Sequence, residues 1–398
     1  MNSPPPATPQ APDFSLVLGG PLYQMYLRSG LVQPPAGRLG RRIVAFIVVA
    51  WLPVAVLTLA GGSAFGGTQV PFFADLGVHV RLLVALPLLI AAEVIVHQRV
   101  QATVRQFVDR GIIAPADRAK FDGIIASVMR LRNSAPIEIA LAVLSVTVGY
   151  WVWRERMAMQ IGSWYVEVDA AGGQSLTVAG WWYAFVSLNL FRFVLLRWYF
   201  RLLVWYVFLW RVSRLRLQLN PLHPDRAGGL GFIGSSVFAF IPLLVAQTAV
   251  LSGVIGNRIL HESAALPAFY MEIASAVALL MALVLAPLPF FVFQLARAKR
   301  EGAREYGLLA MRYADQFRDK WLRGGQRAAG EPLIGSADIQ SLADLAGAHD
   351  VVREMRVLPF SMQTIVRLAM VVAVPYLPLV LAMVPLEELV GRFISKLL

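Results

Sequence analysis

Residues 181–210 read WWYAFVSLNLFRFVLLRWYFRLLVWYVFLW. Aromatic and aliphatic side chains dominate this stretch, and it exceeds the roughly 20 residues that an α-helix needs to cross a bilayer. Its polar side chains include Asn189 and three arginines, Arg192, Arg197 and Arg201. The stretch therefore predicts a membrane-spanning helix that carries positive charge into the membrane.

The composition extends this interpretation to the whole chain. Of the 398 residues, 58% are hydrophobic and 15% are charged, and the mean hydropathy is +0.62, well above that of an ordinary soluble domain. We predict an all-α polytopic membrane protein with about seven transmembrane helices and a small outer β-hairpin at 163–183. The predicted spans are 43–60, 80–97, 137–153, 182–210, 232–255, 268–295 and 364–384.

The remaining segments complete the predicted organisation. Prolines crowd the start of the chain and predict a disordered tail. The predicted units are a Pro-rich disordered N-terminus with an interfacial segment (1–42), spans one and two (43–97), a cytoplasmic helical elbow (98–135), spans three to six with the outer hairpin and an inner link at 211–231 (136–295), a cytoplasmic helical segment (296–363), span seven (364–384) and an outer interfacial amphipathic helix (385–398).

Lysine and arginine residues predict the orientation. With a cytoplasmic N-terminus, 26 of them fall in inner segments and 5 in outer segments, which is the asymmetry expected of a positive-inside protein. The C-terminus is then outside. Anionic lipid headgroups at the cytoplasmic face are the expected partners of these residues and account for the net charge of +12. Nucleic acid is not indicated, because no aromatic platform or groove-reading motif accompanies the basic residues.

Several classes of site are excluded or disfavoured. The chain has no cysteine, which excludes disulfides, thiolate metal sites and cysteine nucleophiles. Its five histidines are scattered and form no pair at metal-ligand spacing. We therefore predict no metal, no cofactor and no catalytic residues, and an enzyme is the least favoured class.

Ionisable residues inside the predicted spans form the first candidate site. An arginine at mid-helix costs about 2.5–3.5 kcal/mol on insertion scales, so such residues normally find partners or water. Arg197 and Arg201 share one helix face and the depth of two glutamates, which predicts an ion-pair cluster near the inner leaflet. These pairs either lock helices together, line a hydrated path for an ion or anionic solute, or relay protons. The candidate residues are Glu93, Glu138, Arg192, Arg197, Arg201 and Glu272.

The link PLHPDRAGGLGFIG, residues 221–234, is the second candidate site. Glycines that adopt positive φ before a helix N-terminus can expose successive backbone N–H groups and form an anion nest. The predicted anion-binding residues are His223, Asp225, Arg226, Gly228, Gly229 and Gly231. Alternatively, the prolines break the helix, Asp225 and Arg226 satisfy loop backbone or cap the next helix, and the glycines let helices approach closely. Catalysis by His223 with Asp225 is a third interpretation.

HPDRAGGLGF and SADIQSLADL…VVREMRVLPFS resemble segments of an uncharacterised family of bacterial multi-pass inner-membrane proteins. This resemblance implies a bacterial inner-membrane location and supplies no activity.

The favoured function is a channel or transporter for an ion or small anionic solute, with an anion or phosphate site at 223–231, because ionisable residues lie at several membrane depths. The alternative is a membrane scaffold or sensing protein that uses amphipathic surfaces in 98–135 and 296–363 to bind anionic lipid, a partner or a second copy.

Overall fold

The computed structural model describes residues 14–30, 39–156, 163–168, 174–262, 264–323 and 337–383. These residues are predominantly helical, which confirms the all-α class. A short 3₁₀ turn at Phe72–Ala74 precedes the third helix. The helices are α1 (Pro21–Arg28), α2 (Leu39–Ala60), α3 (Leu76–Asp109), α4 (Pro115–Arg132), α5 (Ala135–Arg156), α6 (Val178–Val212), α7 (Gly231–Glu262), α8 (Leu266–Trp321), α9 (Ala337–Arg353) and α10 (Met362–Leu381).

Six of these helices, α2, α3, α6, α7, α8 and α10, are long and apolar enough to cross a membrane. Helix α5, the predicted third span, meets that criterion only together with α4, from which it is bent by 42°. The described chain therefore has six candidate spans, or seven if α4 and α5 form one broken span. The protein is a multi-pass membrane protein, and the predicted seven spans are the upper value.

A short antiparallel hairpin confirms the predicted strand pair. Strand β1 (Val166–Val168) pairs with β2 (Gln174–Leu176), with Glu167 opposite Ser175. The hairpin is shorter than the predicted 163–183, because helix α6 already begins at Val178. The Thr177 side chain accepts a hydrogen bond from the Gly180 N–H and so caps that helix.

The bundle has two ends, which we name after their features. The hairpin end carries β1 and β2, and the link end carries the loop at 213–230 between α6 and α7. Helices α3, α6 and α7 form the centre of the bundle. Helix α6 buries Trp198, Trp205 and Phe208 almost completely, and the Trp198 indole N–H donates to the Leu89 carbonyl of α3 at 2.9 Å.

Residues 14–30 pack into the core, whereas the sequence assigned 1–42 to a disordered and interfacial segment. The Phe14 side chain has no exposed surface and contacts the rings of Trp205 and Phe208 at centroid distances of 6.2 and 4.7 Å. Leu16, Val17 and Tyr26 are buried as well, and the Pro-rich composition upstream did not indicate this packing. Residues 1–13 and the predicted interfacial helix 385–398 lie outside the described residues.

Helices α8 and α9 form an antiparallel pair at the link end, within the predicted cytoplasmic segment 296–363. The Asp338 carboxylate of α9 accepts from Lys320 Nζ at 2.8 Å and from Trp321 Nε1 at 3.0 Å on α8. These contacts tie the far end of α8 to the start of α9. The residues that connect the two helices, 324–336, are not described.

Candidate functional site

Glu93 of α3 is the centre of a network of ion pairs. Its Oε2 atom accepts from the Arg42 guanidinium of α2, and its Oε1 atom lies 2.7 Å from Arg201 Nη2 and 4.0 Å from Arg197 Nη1 of α6. Arg197 Nη2 in turn lies 3.4 Å from Glu138 Oε1 of α5. These five residues, from four helices, are called the buried cluster below.

The buried cluster is almost sealed from solvent. Its side chains are between 4% and 12% exposed. Three arginines face two glutamates, so the cluster carries one net positive formal charge. Desolvation of ions is expensive and is offset only by close pairing. Most of the charged atoms have such a partner, but Arg42 Nε is buried without a hydrogen-bond acceptor.

Local sequence explains how α6 contributes two of the arginines. Arg197 and Arg201 are four residues apart, so their side chains project from one face of the helix. The Arg201 guanidinium lies 4.7 Å from the centroid of the Trp198 ring, and Arg42 lies 5.4 Å from the Tyr26 centroid. These cation–π contacts hold the arginines in place while their N–H groups reach the glutamates.

Residues 14–30 cover the buried cluster towards the link end. The Leu22 N–H donates to Glu138 Oε2 at 2.9 Å, and Ser15 Oγ lies 2.9 Å from His97 Nδ1 of α3. Arg132 of α4 donates to the Ser15 carbonyl. Together with buried Phe14, these contacts define a plug, residues 14–30, over the cluster.

Four of the six predicted intramembrane residues meet in the buried cluster, namely Glu93, Glu138, Arg197 and Arg201. Arg192 does not join them, because it points to a different face of α6 and donates to Asn189 Oδ1 at 3.2 Å. Glu272 also lies elsewhere.

Glu272 is at the hairpin end, half-exposed, with Oε1 4.0 Å from Arg258 Nη1. Arg42 was not among the predicted site residues, because it lies one residue before the predicted span 43–60. Because α2 begins at Leu39, Arg42 is inside the helix and reaches Glu93.

At the link, the backbone N–H groups that were predicted to bind an external anion donate instead to the carboxylate of Asp225. Asp225 Oδ1 accepts from the N–H groups of Ala227 at 2.8 Å and Gly229 at 3.1 Å, and Oδ2 accepts from Gly231 at 2.8 Å. Partial burial by itself would raise the pKa of Asp225, but these hydrogen bonds and nearby His223 hold the pKa below its ordinary value of 3.8. An external phosphate would have to displace this carboxylate. Binding of an external anion at the link therefore stays a prediction.

The backbone of the link differs from the expected pattern at two residues. Gly228 and Gly229 have φ values of 63° and 94°, as the nest requires, but Arg226 also has a positive φ, of 52°. Gly231 does not, because it is the first residue of α7. Its missing Cβ serves close packing instead, since a Cβ there would lie 2.9 Å from Asp225 Oδ2.

Arg226 is also already paired. Its Nη1 atom lies 2.8 Å from Glu354 Oε2, and its carbonyl accepts from the Arg356 N–H at 2.7 Å. Arg356 Nη2 donates to the Asp225 carbonyl at 2.7 Å. The link thus packs on residues 354–360, so the two segments that carry the family resemblance contact each other. Residues 354–360 form the loop between α9 and α10, so these contacts are not a close approach of two helices. The part of the structural alternative that they match is the role of Asp225, which binds loop backbone N–H groups.

No protein-family model, curated protein or solved structure gives a significant match to this chain. Within the described ranges, no three histidine, aspartate or glutamate side chains converge as a metal site would require. The family resemblance stays a prediction, and the buried cluster is the feature from which a function can be inferred.

Proposed function

We propose that the protein is a membrane transport protein, channel or transporter, for small anions, with the buried cluster as the site where the anion interacts. The observation that carries this proposal is the charge of the cluster. Three arginines and two glutamates share a nearly sealed volume among four helices. A cluster that only locks helices together gains most when its charges balance.

The excess charge has a direct physical consequence. In a medium of low dielectric constant an uncompensated guanidinium attracts an anion far more strongly than it would in water. The Nε atom of Arg42, which is buried without an acceptor, supplies a donor for such an anion. A carboxylate-rich cluster would instead favour cations, so the sign of the excess sets the expected selectivity.

In this structure the plug covers the buried cluster. Leu22 and Glu138 are joined by a hydrogen bond, and Ser15 is held by His97 and Arg132. These contacts close the cluster towards the link end. Passage of an anion then requires displacement of residues 14–30, whose hydrogen bonds are few enough for such a movement.

The setting we propose is the inner membrane of a bacterium, with the link end in the cytoplasm, the N-terminus inside and the C-terminus outside. The excess of lysine and arginine in the link-end segments supports this orientation, and the family resemblance supports the membrane. Anionic headgroups at the cytoplasmic face are the proposed lipid partners, and a second copy of the chain is the proposed protein partner.

Flux measurements on purified protein in liposomes test the function. Chloride, nitrate and sulfate efflux are compared with potassium efflux for wild type, Arg42→Gln, Arg42→Lys and Arg258→Gln. Arg42→Gln leaves two arginines against two glutamates, so we expect anion flux to fall while the fold persists. Arg42→Lys keeps the charge and should retain part of the flux.

Arg258→Gln is the matched control, because Arg258 is half-exposed at the hairpin end and already paired with Glu262. It should leave flux unchanged. If folded wild-type protein passes anions no faster than protein-free liposomes, the transport proposal is wrong. The scaffold or sensing function would then be the better hypothesis.

A further inference from the structure

Glu138 of α5 contacts the plug and an arginine of the buried cluster at the same time. Its Oε2 atom accepts from the Leu22 N–H of the plug at 2.9 Å. Its Oε1 atom lies 3.4 Å from Arg197 Nη2. The side chain is 12% exposed, so little water can replace either partner. One carboxylate therefore ties the segment that covers the cluster to a charge inside the cluster.

The local sequence of the plug fits this carboxylate. Helix α1 begins at Pro21, and the Leu22 N–H is one of the groups at its N-terminus that no helix carbonyl accepts. The positive end of the helix dipole adds to the attraction for Glu138. Gly20 precedes the helix with a φ of 90°, and a Cβ there would lie 3.0 Å from Glu138 Oε1. The glycine thus lets the plug backbone lie against the carboxylate.

A second contact joins the plug to the cluster. The guanidinium group of Arg42 lies 5.4 Å from the centroid of the Tyr26 ring in the plug. Arg42 is the arginine whose Nε atom is buried without an acceptor. The plug therefore contacts one negative and one positive member of the cluster, and its position depends on the charges there.

Arg197 is the most weakly paired arginine of the cluster. Its closest approaches to the two glutamates are 3.4 Å, to Glu138, and 4.0 Å, to Glu93. The pair of Arg201 with Glu93 is shorter, at 2.7 Å, as expected of a charge-assisted hydrogen bond. An added anion therefore meets the least competition at Arg197, where the competing carboxylate is that of Glu138.

An anion bound at Arg197 would repel the Glu138 carboxylate strongly, because the surroundings have a low dielectric constant. A buried carboxylate that has lost its cation keeps the cost of its desolvation, and turning towards water relieves that cost. Movement of the carboxylate also changes its contact with Leu22, because Oε1 and Oε2 belong to one rigid group. Binding of the anion thus weakens the hold of α5 on the plug.

We propose that Glu138 couples occupancy of the buried cluster by an anion to opening of the plug. In the closed state Glu138 occupies Arg197, so the anion binds the open state more tightly and shifts the equilibrium towards it. The inference rests on the anion site proposed above and adds the residue that controls access to that site. It concerns binding and opening, and it does not require that the anion crosses the membrane.

The reactivity of a thiol in the plug measures its opening. Because the chain has no cysteine, Val17→Cys introduces a single thiol in place of a side chain that is 3% exposed. Its reaction rate with a bulky maleimide is measured on the full-length protein in an uncharged detergent. Potassium gluconate is replaced stepwise by potassium chloride, nitrate or sulfate at constant ionic strength. Met25→Cys, at a residue that is 55% exposed, reports any direct effect of the anions on the reagent.

For Val17→Cys, we expect at least one of the three anions to accelerate the reaction at least about fivefold over gluconate. Adding Glu138→Gln should make the reaction fast in gluconate and remove the acceleration, because the amide keeps the shape of the side chain and loses its charge. Glu272→Gln is the matched control, since Glu272 lies at the hairpin end next to Arg258. It should leave the response to anions unchanged.

Gly20→Ala tests the same contact from the plug and leaves every charge of the cluster in place. Its Cβ would press on Glu138, so we expect a faster reaction in gluconate even if the Glu138→Gln protein does not fold. Gly40→Ala is the control, because nothing lies within 4 Å of a Cβ at that position. Hydrogen exchange of residues 14–30, measured without an added thiol, should rank these variants in the same order.

Two results would overturn the inference. The first is an equal rate in gluconate and in all three anions for Val17→Cys in folded protein, even if liposomes that contain the protein pass anions. The second is a Glu138→Gln protein that stays closed in gluconate and still responds to anions. An anion-dependent plug in protein that carries no flux would support the coupling and contradict transport alone.

Discussion

Glu93 Oε1 and Arg201 Nη2 lie 2.7 Å apart, on α3 and α6, with side chains 10% and 5% exposed. An exposed pair of nearly equal length, Arg297 Nε to Glu301 Oε1 at 2.8 Å, lies on α8. Distance alone therefore does not distinguish the two. Burial does, because a buried ion that loses its partner keeps the cost of its desolvation.

This comparison gives the first prediction. Arg201→Ala should lower the free energy of unfolding by about 1–3 kcal/mol, because Glu93 Oε1 loses its nearest donor while Arg42 still pairs with Oε2, whereas Arg297→Ala should change it by less than about 1 kcal/mol. Unfolding in mixed detergent–denaturant micelles measures both variants. Equal effects would show that water reaches Glu93 freely.

The second prediction concerns the pair Arg197 and Glu138, whose nearest charged atoms are 3.4 Å apart. A double-mutant cycle with Arg197→Ala and Glu138→Ala should give a coupling of about 0.5–3 kcal/mol, because the second substitution removes a charge that the first has stranded. The same cycle with Glu272→Ala should be additive, since Glu272 lies at the hairpin end next to Arg258. Additivity in both cycles would show that Arg197 and Glu138 do not interact.

The third prediction tests the plug. Because the chain has no cysteine, single thiols can be introduced without other changes. A thiol placed by Ser15→Cys should react with a bulky maleimide at least about tenfold more slowly than one placed by Met25→Cys, since local opening must precede reaction. Ser15 is 4% and Met25 55% exposed. Adding Phe14→Ala to Ser15→Cys should accelerate the reaction, and no acceleration would contradict the anchoring role of Phe14.

The fourth prediction follows from the lowered pKa of Asp225. The hydrogen bonds to its carboxylate stabilise the link fully above the ordinary pKa of 3.8. This stabilisation is lost as the pH falls through the lower pKa of the folded protein. Asp225→Asn should therefore cost about 1–3 kcal/mol at pH 7, and the gap to wild type should shrink under acidic conditions. Limited proteolysis of the link at pH 7 and pH 3 provides the measurement, and a gap that widens in acid would be inconsistent with the hydrogen bonds.

The fifth prediction uses two helical glycines with opposite surroundings. A Cβ on Gly234 would lie 2.1 Å from the Pro359 carbonyl oxygen, while Gly123 has nothing within 4 Å of that position. Gly234→Ala should destabilise the protein by about 1–3 kcal/mol, because backbone must move. Gly123→Ala should be neutral or stabilise by about 0.5–1 kcal/mol through helix propensity. Thermal unfolding of the two variants compares them directly, and similar melting temperatures would refute the close contact at Pro359.

The candidate site was partly predictable. Arg197 and Arg201 share a face by their spacing, and their depth matched that of Glu93 and Glu138, so their meeting followed from helix geometry. The place of Arg42 in the buried cluster did not follow from helix geometry. A shift of one residue in the predicted start of a span decides whether a side chain is assigned to the interface or to the buried part of the helix. Residues 14–30 gave no periodic pattern, so nothing local indicated that Phe14 would enter the core.

The amino-acid sequence by itself determined the class of this protein and six of its candidate spans. Transfer of a 20-residue apolar stretch into lipid is a property of that stretch alone, and its free energy needs no knowledge of neighbours. The start of α6 is also set by local sequence, because Thr177 lies directly before the helix and caps it with its own side chain.

The tertiary structure alone decided which charges are neutralised. Glu93 takes its partners from α2 and α6, and Asp225 occupies the backbone N–H groups that the sequence offered to an external anion. Electrostatic energy depends on distance and burial in three dimensions. Two residues more than a hundred positions apart, such as Glu93 and Arg201, therefore become partners only when the helices pack.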